Sequence, residues 1–303
     1  MKPDKAFRAI FYWIIPFLVG FAIVGGVATA GKPIATFDQL GTVGLAGDDD
    51  YSLPLGQLVN AGSGIRFFIN RDVDTQGEEL SEFIGDTPTH LFMVLPTVAS
   101  NVWLASNDNT ATSLVFIQGA AADGSLQSEE ITLTGQTPVI AVNSYLRVWT
   151  ARVIDDNGLL AGGKVYVARN AGFTGGVPND PNNVLTYFTV GNYNQMQPGF
   201  MIPLGNVGLI KRIALNVGDN TGQSNTVLVK VQVRPPGGSW LTRGEMALDR
   251  GSHDFLLPEP IKIEPLSDIR FTGASAAANG QVSGSYSIRL IPDTLCDTVG
   301  IMF

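Results

Sequence analysis

The stretch "NTVLVKVQVRP", Asn225 to Pro235, places Val227, Val229, Val231 and Val233 on one face of an extended chain and Lys230, Gln232 and Arg234 on the other. A period of two is the pattern of a strand with one face buried and one face wet, and β-branched side chains suit that pleated surface. The residues that follow, "RPPGGSW" (Arg234–Trp240), combine two prolines with two glycines and predict a chain reversal. Similar runs, each closed by Gly, Pro, Asn or Asp, recur in both directions from this one. They are "SLVFIQG" (Ser113–Gly119), "EEITLTG" (Glu129–Gly135), "KVYVARN" (Lys164–Asn170), "PIKIEP" (Pro260–Pro265) and "SYSIRLIP" (Ser285–Pro292). "HLFMVLP" (His90–Pro96) is apolar throughout and reads as a strand covered on both faces. Beyond the N-terminal segment, helical spacing is found only in "DTQGEELSEFIGD" (Asp74–Asp86), which predicts a short amphipathic helix with Leu80, Phe83 and Ile84 on one side. Many short strands with turn signals between them and almost no helix predict an all-β protein, a sandwich or a barrel.

The composition agrees with this. Charged residues make up 15% of the 303, while 35 glycines and 17 prolines punctuate the chain. The Gly-, Pro- and Asn-rich stretch "NAGFTGGVPNDPNN" (Asn170–Asn183) is not expected inside a sheet and separates two β-rich blocks, each long enough for an eight-stranded jelly roll. The expected division is therefore 1–32 as an N-terminal anchor, 33–184 and 185–293 as two β-sandwiches of jelly-roll type, and 294–303 as a tail.

The N-terminal segment carries its own signal. From Ala9 to Gly31 no residue is charged, and as a helix this run would reach about 34 Å, enough to cross a hydrocarbon core of about 30 Å. Phe11, Phe17, Leu18, Phe21, Ile23 and Val24 supply its apolar surface, and Tyr12 and Trp13 fit an interfacial aromatic pair. Lys2, Lys5 and Arg8 precede the run, which by the positive-inside tendency keeps the N-terminus on the inner side. Ala28-Thr29-Ala30 is a small-x-small pattern that a signal peptidase could cut, but a secretory apolar region usually runs about 7–15 residues. The expectation is an uncut anchor contacting a lipid bilayer through residues 9–31.

Candidate chemistry is sparse. A net charge of −8 and the lack of any Lys/Arg stripe argue against binding a nucleic-acid backbone. The single Cys296 cannot form an intrachain disulfide, and its acidic neighbours Asp293 and Asp297 would raise a thiol pKa. Neither His90 nor His253 has a Cys or second His at ligand spacing; the first is read as a strand-end residue and the second as a loop residue. "GDDD" (Gly47–Asp50) and "DDNG" (Asp155–Gly158) hold clustered carboxylates but not the spacing of a calcium loop, and the second is also a good hairpin turn. No catalytic residue, metal site or cofactor is expected, and the chain reads as no enzyme. Trp240, just beyond the predicted reversal, could stack on a sugar ring, though core packing or a subunit contact suits it better.

Two stretches carry a resemblance. "GAAADGSLQSEEITLTGQTPVIAVNSYLRVWTARV" (Gly119–Val153) and "VLVKVQVRPPGGSWLTRGEMALDRGSHDFLLPEPIKIEPLSDIRF" (Val227–Phe271) are similar to virion structural proteins of marine bacteriophages. The shared features are an acidic-turn hairpin, a Glu-x-Ile-x-Leu-x-Gly-x-Thr-Pro-Val run, a Leu-Arg-Val strand, an Arg-Pro-x-Gly-Gly turn and a Ser-Asp-Ile strand. With its apolar N-terminus the chain also resembles the double jelly-roll capsid proteins of tailless phages that enclose a membrane. The resemblance implies a capsid shell subunit located in the virion, in a host membrane before assembly. It implies partners too: copies of the same chain, as trimers, and other capsid proteins around a lipid vesicle. The alternatives are a membrane-anchored or secreted binding module, recognising glycans through Trp240 or the Phe173–Asn183 loop, a vertex or spike protein, and a hydrolase on the same scaffold.

Overall fold

The computed structural model describes residues 62–75, 77–81, 95–155, 163–169, 172–189, 198–218, 226–275 and 280–294. Their strands are, in chain order, β1 (Gly62–Val73), β2 (Glu78–Glu79), β3 (Ser100–Ser106), β4 (Leu114–Ala120), β5 (Leu126–Thr132), β6 (Val139–Tyr145), β7 (Arg147–Asp155), β8 (Lys164–Ala168) and β9 (Phe173–Thr174). They continue with β10 (Val177–Pro178), β11 (Val184–Thr189), β12 (Phe200–Met201), β13 (Asn206–Gly218), β14 (Val227–Arg234), β15 (Leu241–Leu248), β16 (Gly251–Ile263), β17 (Asp268–Ser275) and β18 (Gly280–Pro292). The described residues are all-β, as their alternating pattern requires, and every ladder among them is antiparallel.

The strands form two sheet pairs. In the first, the order β11-β8-β3-β6 faces β5-β4-β7. Between them lies a core that includes Leu104, Ile117, Leu133, Tyr145, Val165 and Phe188. In the second, β1-β18-β13-β16 faces β12-β17-β14-β15, with β2 added beside β17. Its core holds Phe68, Leu80, Ile210, Phe271, Tyr286 and the four valines of β14, which are buried as their period predicts. The Pro-Pro-Gly-Gly segment does reverse the chain from β14 into β15: Gly237 takes a positive φ of 67° and the Gly238 N–H donates to the Pro235 carbonyl at 2.9 Å.

A single cut at residue 184 does not describe this arrangement. β1 and β2 precede the first sheet pair in sequence, yet β1 pairs with β18 from Gly62↔Leu290 onward and β2 pairs with β17. The first pair is thus inserted within the second. Nor do the eight strands of a jelly roll appear in either, since among the described residues the first pair has seven strands and the second nine.

Three local expectations also change. The helix expected over Asp74–Asp86 gives way at its start to β2, because Gly77 turns the chain at φ 80° and Glu78 and Glu79 find ladder partners in Gly273 and Thr272. Leu80 is fully buried against the second core, while Phe83 and Ile84 lie outside the described residues. The Asn170–Asn183 stretch holds a small hairpin, with Val177 and Pro178 paired to Thr174 and Phe173. His253 lies in strand β16 rather than a loop, stacked on Phe255 with its Nε2 2.8 Å from the Asp249 carbonyl.

Candidate functional site

The two sheet pairs meet at a junction that has an apolar half and a charged half. On the apolar side Ala120, Trp149 and Met201 are buried together, with Leu146, Phe200 and Leu266 packed around them. Trp149 meets the Phe200 ring edge-on at a centroid distance of 5.0 Å. The fit is close at the turn between β4 and β5, where a Cβ on Gly124 would lie 2.1 Å from a methyl of Leu266. Gly124 itself has φ 85°, so its lack of a side chain serves both the turn and the junction. Leu266, at φ 61°, is the non-glycine residue with positive φ among the described residues, and its N–H donates to the Ile202 carbonyl at 2.8 Å. A branched residue held in that region costs on the order of 1 kcal/mol, which packing over Gly124 offsets.

On the charged side Arg147, at the start of β7, donates from Nε and Nη2 to the two carboxylate oxygens of Asp268, at the start of β17, at 2.8 and 3.0 Å. Arg234, at the end of β14, donates to the Asp268 Oδ2 from Nη2 at 2.6 Å and from Nε at 3.2 Å. Asp268 is 7% exposed and joins the first sheet pair to the second. Fork-to-fork bonds of this kind fix orientation as well as distance. Arg147 Nη1 also donates to the carbonyls of Pro96 and Leu146, which holds the segment entering the first pair.

Beside this cluster is a cavity of about 260 Å³ lined by Glu79, Trp149, Phe200, Trp240 and the arginines. Trp240 lies here, with the Arg270 guanidinium 4.0 Å and that of Arg234 5.2 Å from its ring centroid. Arg270 also donates to the Gln232 amide oxygen at 2.8 Å. Burial lowers the Arg270 pKa, Glu79 opposes that shift, and Arg234 adds to it. The aromatic surface that the sequence offers to a sugar therefore carries guanidinium groups of its own chain. What this arrangement does chemically is hold cations over an indole and across a carboxylate, which immobilises two sheet pairs against each other.

Trp103 is half-buried in β3 and Trp149 is buried in the junction. The anchor residues Phe11, Tyr12, Trp13, Phe17, Leu18, Phe21, Ile23 and Val24 lie outside the described residues, as do His90, Cys296 and the Gly47–Asp50 cluster. Among the described residues no helix is long and apolar enough to cross a membrane. The Arg147–Asp268–Arg234 cluster had no sequence signal, because its members are 121 and 34 positions apart.

No protein-family model matches the chain, and neither does any curated protein. Solved structures that align with it include that of infectious bursal disease virus Gx strain, at 11% identity over 76% of this chain and 71% of that one, with a TM-score of 0.21. The VP2 subviral particle of infectious bursal disease virus aligns at 11% identity over 77% and 72%, with a TM-score of 0.20. A protein of Parabacteroides distasonis aligns at 9% identity over 77% and 90%, with a TM-score of 0.16. Overlaps of this size carry no argument about the chain's function.

Proposed function

We propose that the chain is a structural subunit of a virion shell, without enzymatic activity, that assembles with copies of itself and is tethered to a bilayer through residues 9–31. The observation that supports assembly is on the side of the first sheet pair where the edge strands β5 and β6 come together. There Val142 is 88% exposed, Leu126 55% and Ile140 47%. The backbone of the same edge is partly capped, because the Glu129 carboxylate accepts the Val142 N–H at 2.9 Å and the Asn143 N–H at 3.3 Å. The Gln127 amide likewise donates to the Ser144 carbonyl at 2.5 Å. An edge capped in this way by side chains resists open-ended strand addition, while its apolar side chains still favour burial against another surface. That combination suits a closed, side-chain-mediated contact between copies. The rigid junction suits it as well, since a shell subunit must hold two sandwiches at one angle.

The tether rests on the uncharged run alone, and the two parts of the reading separate experimentally. Full-length protein in mild detergent is expected to sediment as a trimer or larger closed assembly. The double variant I140E/V142E is expected to remain a monomer with an unchanged circular dichroism spectrum. A wild-type protein that stays monomeric at high concentration, or a double variant that still assembles, overturns the shell reading. Vesicle flotation that is unaffected by deletion of residues 1–32 overturns the tether.

A further inference from the structure

A second concavity, of about 340 Å³, lies between β1 and the outer face of the β5-β4-β7 sheet. Its volume falls within the range of small-ligand sites. Its floor is set by register: Phe116 pairs with Arg152 and Gln118 with Thr150 across β4 and β7. Cross-strand neighbours are about 5 Å apart and residues two apart on a strand about 7 Å, so these four side chains form a patch the size of one hexose ring. Phe67 of β1, 54% exposed, forms the wall together with Ile65 and Arg66.

The charge here is unusual for a chain of net charge −8. Arg66 donates to the Thr150 hydroxyl at 3.1 Å, to the Trp149 carbonyl and to the Gly199 carbonyl at 3.4 Å, all neutral acceptors. Burial lowers its pKa, and the group that counters this is the Tyr286 phenol rather than a carboxylate. Arg152 is exposed and lies over the Phe116 ring at 5.1 Å. The carboxylate nearest to it by register, Glu130, is one strand further on, opposite Phe116, and forms no ion pair with it among the described residues. Two guanidinium groups thus flank one groove whose lining, among the described residues, holds no acid, and an anion entering it would relieve a cost that the fold itself leaves in place.

We infer that this groove binds a carboxylate-bearing saccharide, with Arg152 pairing the carboxylate, Gln118 and Thr150 meeting ring hydroxyls, and Phe67 covering an apolar ring face. A bare phosphate fits less well, because anion sites of that kind converge backbone N–H groups, and those of β4 are engaged in ladders on both sides. A saccharide uses what is present: an amide, a hydroxyl, aromatic faces and a forked cation. The inference is independent of the shell reading and of Trp240.

The test is calorimetric titration of the full-length protein with trigalacturonate, maltotriose and inorganic phosphate. Saturable binding of trigalacturonate is expected, at least tenfold tighter than maltotriose and weakened by added salt. Arg152→Gln should weaken it about tenfold or more, Arg152→Lys by less, and Phe67→Ala several-fold, each with an unchanged circular dichroism spectrum. Four results would overturn the inference: no saturable binding at about 10 mM ligand, equal affinity for maltotriose, indifference to Arg152→Gln, or phosphate binding as tightly as trigalacturonate.

Discussion

The first sheet pair draws all seven strands from one stretch of chain, Ser100 to Thr189, whereas the second takes β1 and β2 from before that stretch and β12 to β18 from after it. The first can therefore complete its core from local pairings. The second cannot bury Phe68 or Leu80 until the chain has closed a loop around the whole first pair. Closing so long a loop adds only a modest entropic cost to stability, because that cost grows logarithmically, but it slows folding. The comparison shows that β1 is the element on which the second core depends and on which the first does not.

The largest expected effect comes from removing the centre of that dependence. Phe68 lies 5.1 Å from the Phe271 ring, which in turn stacks on Tyr286 at 4.8 Å, so one side chain of β1 anchors strands from both sheets. Phe68→Ala should destabilise the protein by about 3–5 kcal/mol. Native-state hydrogen exchange should then show lost protection in β13, β17 and β18 with β3, β8 and β11 largely unaffected. Equal loss in both would mean that the two pairs unfold as one cooperative unit.

A somewhat smaller effect is expected at the junction, and it should have the opposite distribution. Asp268→Asn keeps the size of the side chain but turns an amide nitrogen toward two guanidinium groups and leaves Arg147 and Arg234 without their carboxylate. A loss of about 3 kcal/mol is expected, nearer the lower end for buried pairs because Arg234 is partly exposed. Faster exchange should appear on both sides of the junction, at Val148 in β7 and Arg270 in β17. Confinement of the change to one sheet pair would show that the clamp is local to that pair and does not join the two.

How much of this could be read beforehand differs between the same regions. Strands whose apolar residues alternate strictly, such as β14, were legible because one face is buried and the other is wet. β1 carries no such alternation: Ile65, Phe67, Phe68 and Ile69 put apolar residues on both of its faces, and Arg66 interrupts them. Its partner β18 lies more than 200 positions away, and no local pattern encodes that pairing. The false helix at Asp74–Asp86 has a related cause, since Leu80 is apolar for a tertiary reason and the ladder with β17 overrides helical spacing. At the site, Trp240 was visible as an aromatic after a turn, but Arg270, which covers it, comes from β17, 30 residues later in the sequence. Arg152 and Phe116 carry no signal in the sequence because a charge opposite an aromatic on the outer face of a sheet is an ordinary surface pattern.

The smallest of these effects sharpens the comparison through pH. Glu78, on β2, is buried, and its pKa is raised from about 4.5 to about 7. Burial is the main cause. Bonds accepted from the Asp74 N–H and the Asn70 amide partly oppose it, and the charges of Asp74 and Asp72 add to it. Between those two pH values the native state holds a proton that the unfolded chain has released, so the Glu78 contribution to stability falls as pH rises from about 4.5 to about 7 and is level on either side. Asp123 and Asp254, whose pKa values are lowered by the Ser125 hydroxyl and by Arg212, titrate below this window and do not contribute to it. Glu78→Gln can still accept the Asn70 and Asp74 bonds and carries no charge. It should therefore remove the slope and leave the variant more stable than wild type at pH 8, by on the order of 1–2 kcal/mol, in denaturant titrations at pH 5 and pH 8. Because Glu78 belongs to the N-terminal arm of the second sheet pair, the pH-dependent part of hydrogen exchange should fall on β1, β2 and β17 and spare the first pair. A slope that survives in Glu78→Gln would assign the pH dependence to another group and leave the arm without a titrating latch.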